Sequence, residues 1–329
     1  MKTTIWVPAL LVLMSGCQLP AIRSPGTVAN TDAVARLDAA LAGDYDNDEQ
    51  VRQARAGVRA GSQVAVPHLR EQWRLLEHDR DHSLWLWHWQ SQDVQANATD
   101  WLYRIGASSA GRVVLTPYRA IDPAAVKIAL ADAKNFKFVA AQWAELAPCA
   151  MTGEWKNTQF SASADAVACS ALLPGLGESA SLLPLQLNLD GEMLHAATFA
   201  DQARGSGAGI DARRLRWFSG WAAINGGGPK AKVVNQDWHT QNDLRLSSEG
   251  GRTPLHWRDG AASGYSLELV RITYAERKLS VLQLNVIEDA SGQTIDYAWT
   301  NPEGKAIGVN LGWLQVGLTQ VGIGAEWIR

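Results

Sequence analysis

Apolar positions along this chain fall mostly on every second residue, the period of a strand with one face buried. Leu185, Leu187 and Leu189 alternate with Gln186 and Asn188, and Asp190-Gly191 follows as a hairpin turn. Leu282, Leu284 and Val286 alternate with Gln283 and Asn285 in the same way. Shorter runs over 69–77, 83–92, 101–107 and 112–119 are parted by polar or glycine-bearing turns, and so are runs over 213–223, 232–239, 265–272, 278–288 and 308–318. Helical spacing is rare. Val34, Leu37 and Leu41 follow the capping pair Thr31-Asp32 and stop at Gly43, which predicts a short helix, and 124–133 predicts a second. Many short strands with regular turn signals predict a mainly β protein built as barrels or sandwiches.

The first residues carry a different signal. Lys2 precedes an apolar stretch from Ile5 to Met14, too short to span a bilayer, and Ser15-Gly16 then stand directly before Cys17. This resembles a lipoprotein signal over 1–16. Its implication is cleavage, acylation of Cys17 by palmitate-type chains, and a membrane anchor whose buried methylenes each contribute about 0.8 kcal/mol. An ordinary secretory signal with an incidental cysteine is the alternative. Gln18 in place of the Asp that retains lipoproteins at the inner membrane favours an outer-membrane lipoprotein facing the periplasm. Residues 17–31 read as a lipidated flexible tether. A first β domain follows over 32–203, and a second over 210–329. Between them Gly205-Ser206-Gly207-Ala208-Gly209 reads as a joint; no Lys-Ser/Thr follows to make it a phosphate loop.

Thirty basic and 33 acidic residues are well mixed, for a net charge of −3, so no basic stripe invites nucleic acid. Apart from Cys17 the cysteines are Cys149 and Cys169, an even pair suited to a disulfide in an oxidising compartment. No His or Lys adjoins either one to make a reactive thiol.

Leu41-Ala42-Gly43-Asp44-Tyr45-Asp46-Asn47-Asp48-Glu49-Gln50 resembles the opening motif of the CpcT/CpeT family of phycobiliprotein chromophore lyases, with Gly43, Asn47, Glu49 and Gln50 as its landmarks. Leu86-Trp87-His88-Trp89-Gln90, Tyr103-Arg104-Ile105, Tyr118-Arg119 with Asp122-Pro123, and the order Cys149, Phe160, Cys169 follow the family's sequence of strands. The resemblance covers roughly 32–203. It implies a calycin-like antiparallel barrel with a ligand cavity, where family members handle linear tetrapyrroles. The family's Glu falls on Trp89 and its Arg near Ala98, Thr99 and Asp100, so binding without catalysis is the expectation, with a lyase-like enzyme as the alternative.

Fifteen tryptophans are the chain's most unusual feature. Trp85, Trp87 and Trp89 share one strand face, opposite Leu84, Leu86 and His88. They are either pocket walls or packing. With Tyr103, Trp143 and Arg70 they form the candidate ligand pocket, for a lipid, a tetrapyrrole-like molecule or another planar apolar compound. Arg70 and Arg74 suit a ligand carboxylate or plain solvation. His78 and His82 flank Asp79-Arg80-Asp81, where a polar turn competes with a zinc pair that lacks a third ligand. No Gly-x-Ser-x-Gly elbow is present, and no resident cofactor or metal is evident. In the second domain, Trp217-Phe218-Ser219-Gly220-Trp221 and Gly312-Trp313 read as packing first. That domain is also the candidate surface for a scaffold that binds another envelope protein.

Overall fold

The structure, a computed structural model, describes residues 25–57, 66–78, 82–91, 98–132, 135–172, 183–198, 201, 209–230, 237–274 and 279–322. Cys17 and the signal lie outside the described residues. The first helix, α1 (Pro25–Leu41), is 17 residues long and so begins inside the segment assigned to the tether. Pro25 explains this, since proline is preorganised for the first helical turn and its missing N–H costs nothing there.

Two antiparallel β bodies follow. The first contains β1 (Gly43–Asp46), β2 (Leu69–His78), β3 (His82–Ser91), β4 (Ala98–Ala107), β5 (Val113–Ala120), β6 (Trp143–Glu145), β7 (Met151–Lys156), β8 (Gln159–Ser163), β9 (Pro184–Asp190), β10 (Met193–Thr198) and β11 (Ile210–Arg214). Their order is β4-β3-β2-β1-β11-β10-β9-β8-β7-β5-β6, and β4 also pairs with β5, closing a ten-stranded barrel with β6 appended. The short helices α2 (Asp48–Arg55), α3 (Pro123–Leu130) and α4 (Ala166–Ser170) lie in its connections. Cys149, in the turn before β7, is bridged to Cys169 in α4.

The boundary between the bodies differs from the expected one at 203–210. Strand β11 pairs with β10 on one side and β1 on the other, so 210–214 completes the first barrel. The glycine cluster at 205–209, described only at Gly209, therefore connects two neighbouring strands of one sheet and joins no domains. The expected strand over 213–223 splits at Leu215-Arg216, where the chain leaves the first barrel.

The second body contains β12 (Trp217–Asn225), β13 (Trp238–Ser247), β14 (Glu249–His256), β15 (Ala262–Tyr274), β16 (Leu279–Glu288), β17 (Gln293–Thr300), β18 (Ala306–Asn310) and β19 (Leu314–Val321). They run β17-β16-β15-β14-β13-β12-β19-β18, with β17 returning beside β18, an almost closed eight-stranded barrel. Leu267, Leu269, Leu282, Leu284 and Val286 fill it together with Phe218 and Leu318. Gly308 is required by proximity, because a Cβ there would sit 2.5 Å from the Val316 carbonyl. The expected strand over 308–318 is a β18–β19 hairpin instead, and its turn carries Trp313 against Tyr265, ring centroids 4.7 Å apart.

Candidate functional site

Strand parity leaves open which face of β3 is inside; the barrel decides it. Trp85 and Trp87 point inward and are buried, while Leu84 and Leu86 point outward beneath α3. The side chain of Trp89 lies outside the described residues. Register lines Trp73, Trp87 and Trp101 across β2, β3 and β4. The Trp73 ring centroid stands 5.9 Å from that of Trp87 and 5.3 Å from that of Tyr103. Val34, Leu37 and Leu41 of α1 join the same core. A ten-stranded barrel encloses more width than aliphatic side chains fill, which is a physical reason for stacked indoles and for a helix packing its apolar side onto the core. Trp73, Trp85, Trp87, Trp101 and Tyr103 are each at most 1% exposed, so Trp85, Trp87 and Tyr103 of the expected pocket belong to a packed aromatic core.

One acid is sealed in that core. Glu71 accepts a hydrogen bond from Trp87 Nε1 at 3.0 Å, and burial pushes its carboxyl up to about 7, against the opposing pull of Trp87, Trp73 and the His195 charge. Trp73 Nε1 leans toward the same carboxyl without reaching hydrogen-bonding geometry, and Trp101 Nε1 and Tyr103 Oη are likewise buried without a partner. Each such donor costs roughly 1–3 kcal/mol. Glu71 itself is only 1% exposed.

Open space lies beside the barrel. Strand β4 pairs with β5 only as far as Leu102 and Tyr118, and beyond that point the two diverge as β5 goes on to pair with β6. Under α3 the divergence leaves a cavity of about 420 Å³, walled by Trp101, Trp143, Val126 and Leu130 and carrying Arg119, Lys127 and Asp100 at its polar part. Asp100 is held by His88 Nδ1 at 2.8 Å. Trp143, of the expected pocket, thus lines this cavity, and it stands in a cluster separate from Trp85, Trp87 and Tyr103. Sequence reasoning missed Arg119, Val126 and Lys127. A Pro-initiated helix following the strand that ends Tyr118-Arg119 was the available signal.

Arg70 belongs to neither place. It projects from the outer face of β2 and pairs with the buried Asp46 at 3.1 Å, beside His68 at 2.7 Å from the same carboxylate. Arg74 pairs with Asp44 in the same manner. Where a ligand carboxylate or plain solvation was expected for these arginines, the structure shows ion pairs within the chain, because β1 lies alongside β2 and offers an aspartate at each.

The four motif residues have structural partners. Gly43 opens β1 at φ +148°, a backbone conformation that favours glycine. Asn47 is buried, donates to the Pro67 carbonyl at 2.8 Å and accepts from the Leu69 N–H at 2.7 Å. Gln50 donates to the Gly209 carbonyl at 2.9 Å and accepts from Asp211 N at 3.1 Å. Glu49 accepts from Arg52 at 2.9 Å and from Gln53. Asn47 and Gln50 therefore fasten α2 to β2 and β11, the two neighbours of β1.

Between the barrels lies a buried charged seam. Glu249 at the start of β14 meets Arg213 of β11 at 3.2 Å, yet burial pushes its carboxyl up to about 8. Arg52 donates to the Arg271 carbonyl at 2.9 Å, Arg271 pairs with Glu192 at 2.8 Å, and Trp217 donates to Asp44 at 3.1 Å. Among the described residues no three His, Cys, Asp or Glu side chains are grouped to hold a metal ion. No protein-family model matches the chain, and a search of the curated proteins finds no match to it either.

Proposed function

We propose that this chain is a lipid-anchored protein of the outer membrane's periplasmic face that binds a small apolar or planar molecule without transforming it. The cavity beneath α3 carries this reading. It lies within the usual size range for small-molecule sites and combines indole and aliphatic walls with two cations. Such a lining suits a ligand with an apolar body and an acidic group, a description that includes fatty acids and tetrapyrrole-like molecules. The resemblance to the CpcT/CpeT family is consistent with this ligand class, and the departures at Trp89 and near Asp100 argue for binding over lyase chemistry.

Native mass spectrometry with an absorbance scan, on protein purified from its own host's envelope, tests the reading. A bound species of defined mass is expected, and Ala120→Trp, which fills the cavity, should displace it while circular dichroism stays unchanged. A clean apo mass, or a ligand that Ala120→Trp leaves in place, would sink the proposal. A second reading, an envelope scaffold acting through the second domain, draws on exposed aromatic side chains there, Trp221, Tyr297 and Trp299.

A further inference from the structure

The cavity beneath α3 selects by size and by charge. A methylene fills about the space of a water molecule, about 30 Å³, so a cavity of about 420 Å³ holds roughly fourteen such groups. A linear tetrapyrrole, with four rings and two propionate arms, is roughly three times larger, whereas a site normally encloses about 70–90% of its ligand's surface. Most of such a molecule would stay in solvent. A single alkyl chain with a small head group fits, laid against Trp101, Trp143 and the i, i+4 pair Val126 and Leu130 of α3.

The head group follows from the charges. Arg119 of β5 and Lys127 of α3 stand in the lining against a single acid, Asp100, so the lining carries a surplus of one positive charge. That suits a monoanion; a phosphate dianion or an amine is matched less well. Ile121 is 60% exposed and Lys127 is exposed too, so the space opens to solvent beside a cation. We propose that the cavity takes a fatty acid, its chain between α3 and the two indoles and its carboxylate on Arg119 and Lys127. The inference rests on the binding reading above and narrows its ligand class to single-chain carboxylates, leaving out linear tetrapyrroles and two-chain lipids.

Calorimetric titration of the full chain with straight-chain carboxylates of about eight to about eighteen carbons tests this. Affinity should rise about fourfold per methylene and stop rising near about fourteen carbons. The alcohol of equal length should bind at least about tenfold more weakly. Lys127→Glu, at an exposed position, should narrow that gap about threefold with the circular dichroism spectrum unchanged. Affinity indifferent to chain length, an alcohol bound as well as its acid, or a linear tetrapyrrole bound more tightly than either would overturn the fatty-acid assignment. If Ala120→Trp still displaces the ligand in that event, the broader binding reading stands. A chain that binds no carboxylate and carries no ligand from its host sinks both.

Discussion

A carboxyl inside a wall of indoles behaves differently from one in water, and Glu71 is that case. Its folded value of about 7 lies above the ordinary 4.5, so the folded chain keeps a proton that the unfolded chain has released. Stability from this group is therefore full below about pH 4.5 and declines as pH rises, until the loss is complete above about 7. A shift of this size corresponds to roughly 3 kcal/mol. Glu71→Gln keeps an acceptor for Trp87 and removes the ionisation. Chemical denaturation at pH 5 and pH 8 should give a variant whose stability changes less between the two than that of the parent. An unaltered difference would mean that Glu71 does not hold the proton. His195 acts in the same direction: its hydrogen bond to Asp211 raises its value while partial burial opposes, so its contribution also fades as pH rises.

At the scale of elements, α2 is eight residues long and too short to persist by itself. It is held where it is by Asn47 and Gln50, whose amides satisfy backbone groups of the flanking segments. Asn47→Ala strands a buried N–H and frees a half-buried carbonyl, and about 1–3 kcal/mol of stability should go with them in urea unfolding. Because Gln50 receives a further bond from Asn47 at 3.2 Å, the double alanine variant should lose less than the sum of the two single losses. Strict additivity would show that the two amides work independently. Helix α1 is held differently. Tyr45 donates to the Leu41 carbonyl and Arg214 donates to that of Ala40, so strands β1 and β11 finish the helix that packs on the barrel core.

The whole molecule is two barrels joined across buried charge. Among the described residues Arg213 alone touches the Glu249 carboxylate at salt-bridge distance, while Arg52 and Arg271 act on it from farther away. At pH 9, above the Glu249 value of about 8, Arg213→Ala should cost about 3–5 kcal/mol by leaving an ionised carboxyl buried without its partner, and adding Glu249→Leu should restore most of it; at pH 6, where the carboxyl holds a proton, the cost should be much smaller. Differential scanning calorimetry resolves whether the two barrels then melt together or apart. Glu249 titrates in the sense of Glu71, its folded value of about 8 standing above 4.5, so the seam too is firmest in acid and loosens as pH climbs toward 8.

Alternation along single strands was enough to read β9, β16 and the β9–β10 hairpin, because one buried face imposes a two-residue period that needs no knowledge of the partner. Cys149 and Cys169 were legible for a similar reason, being the only two cysteines past Cys17. What β3 faces was not legible, since Trp85 and Leu84 are both apolar and only ring closure chooses between them. Nor was the place of 210–214, whose partners lie in β1 and β10. The cavity arises where β4 and β5 part under α3, a divergence between strands that no one of them encodes. Local period fixes what each segment is; which segments become neighbours, and where they leave room, is settled only when the barrels close.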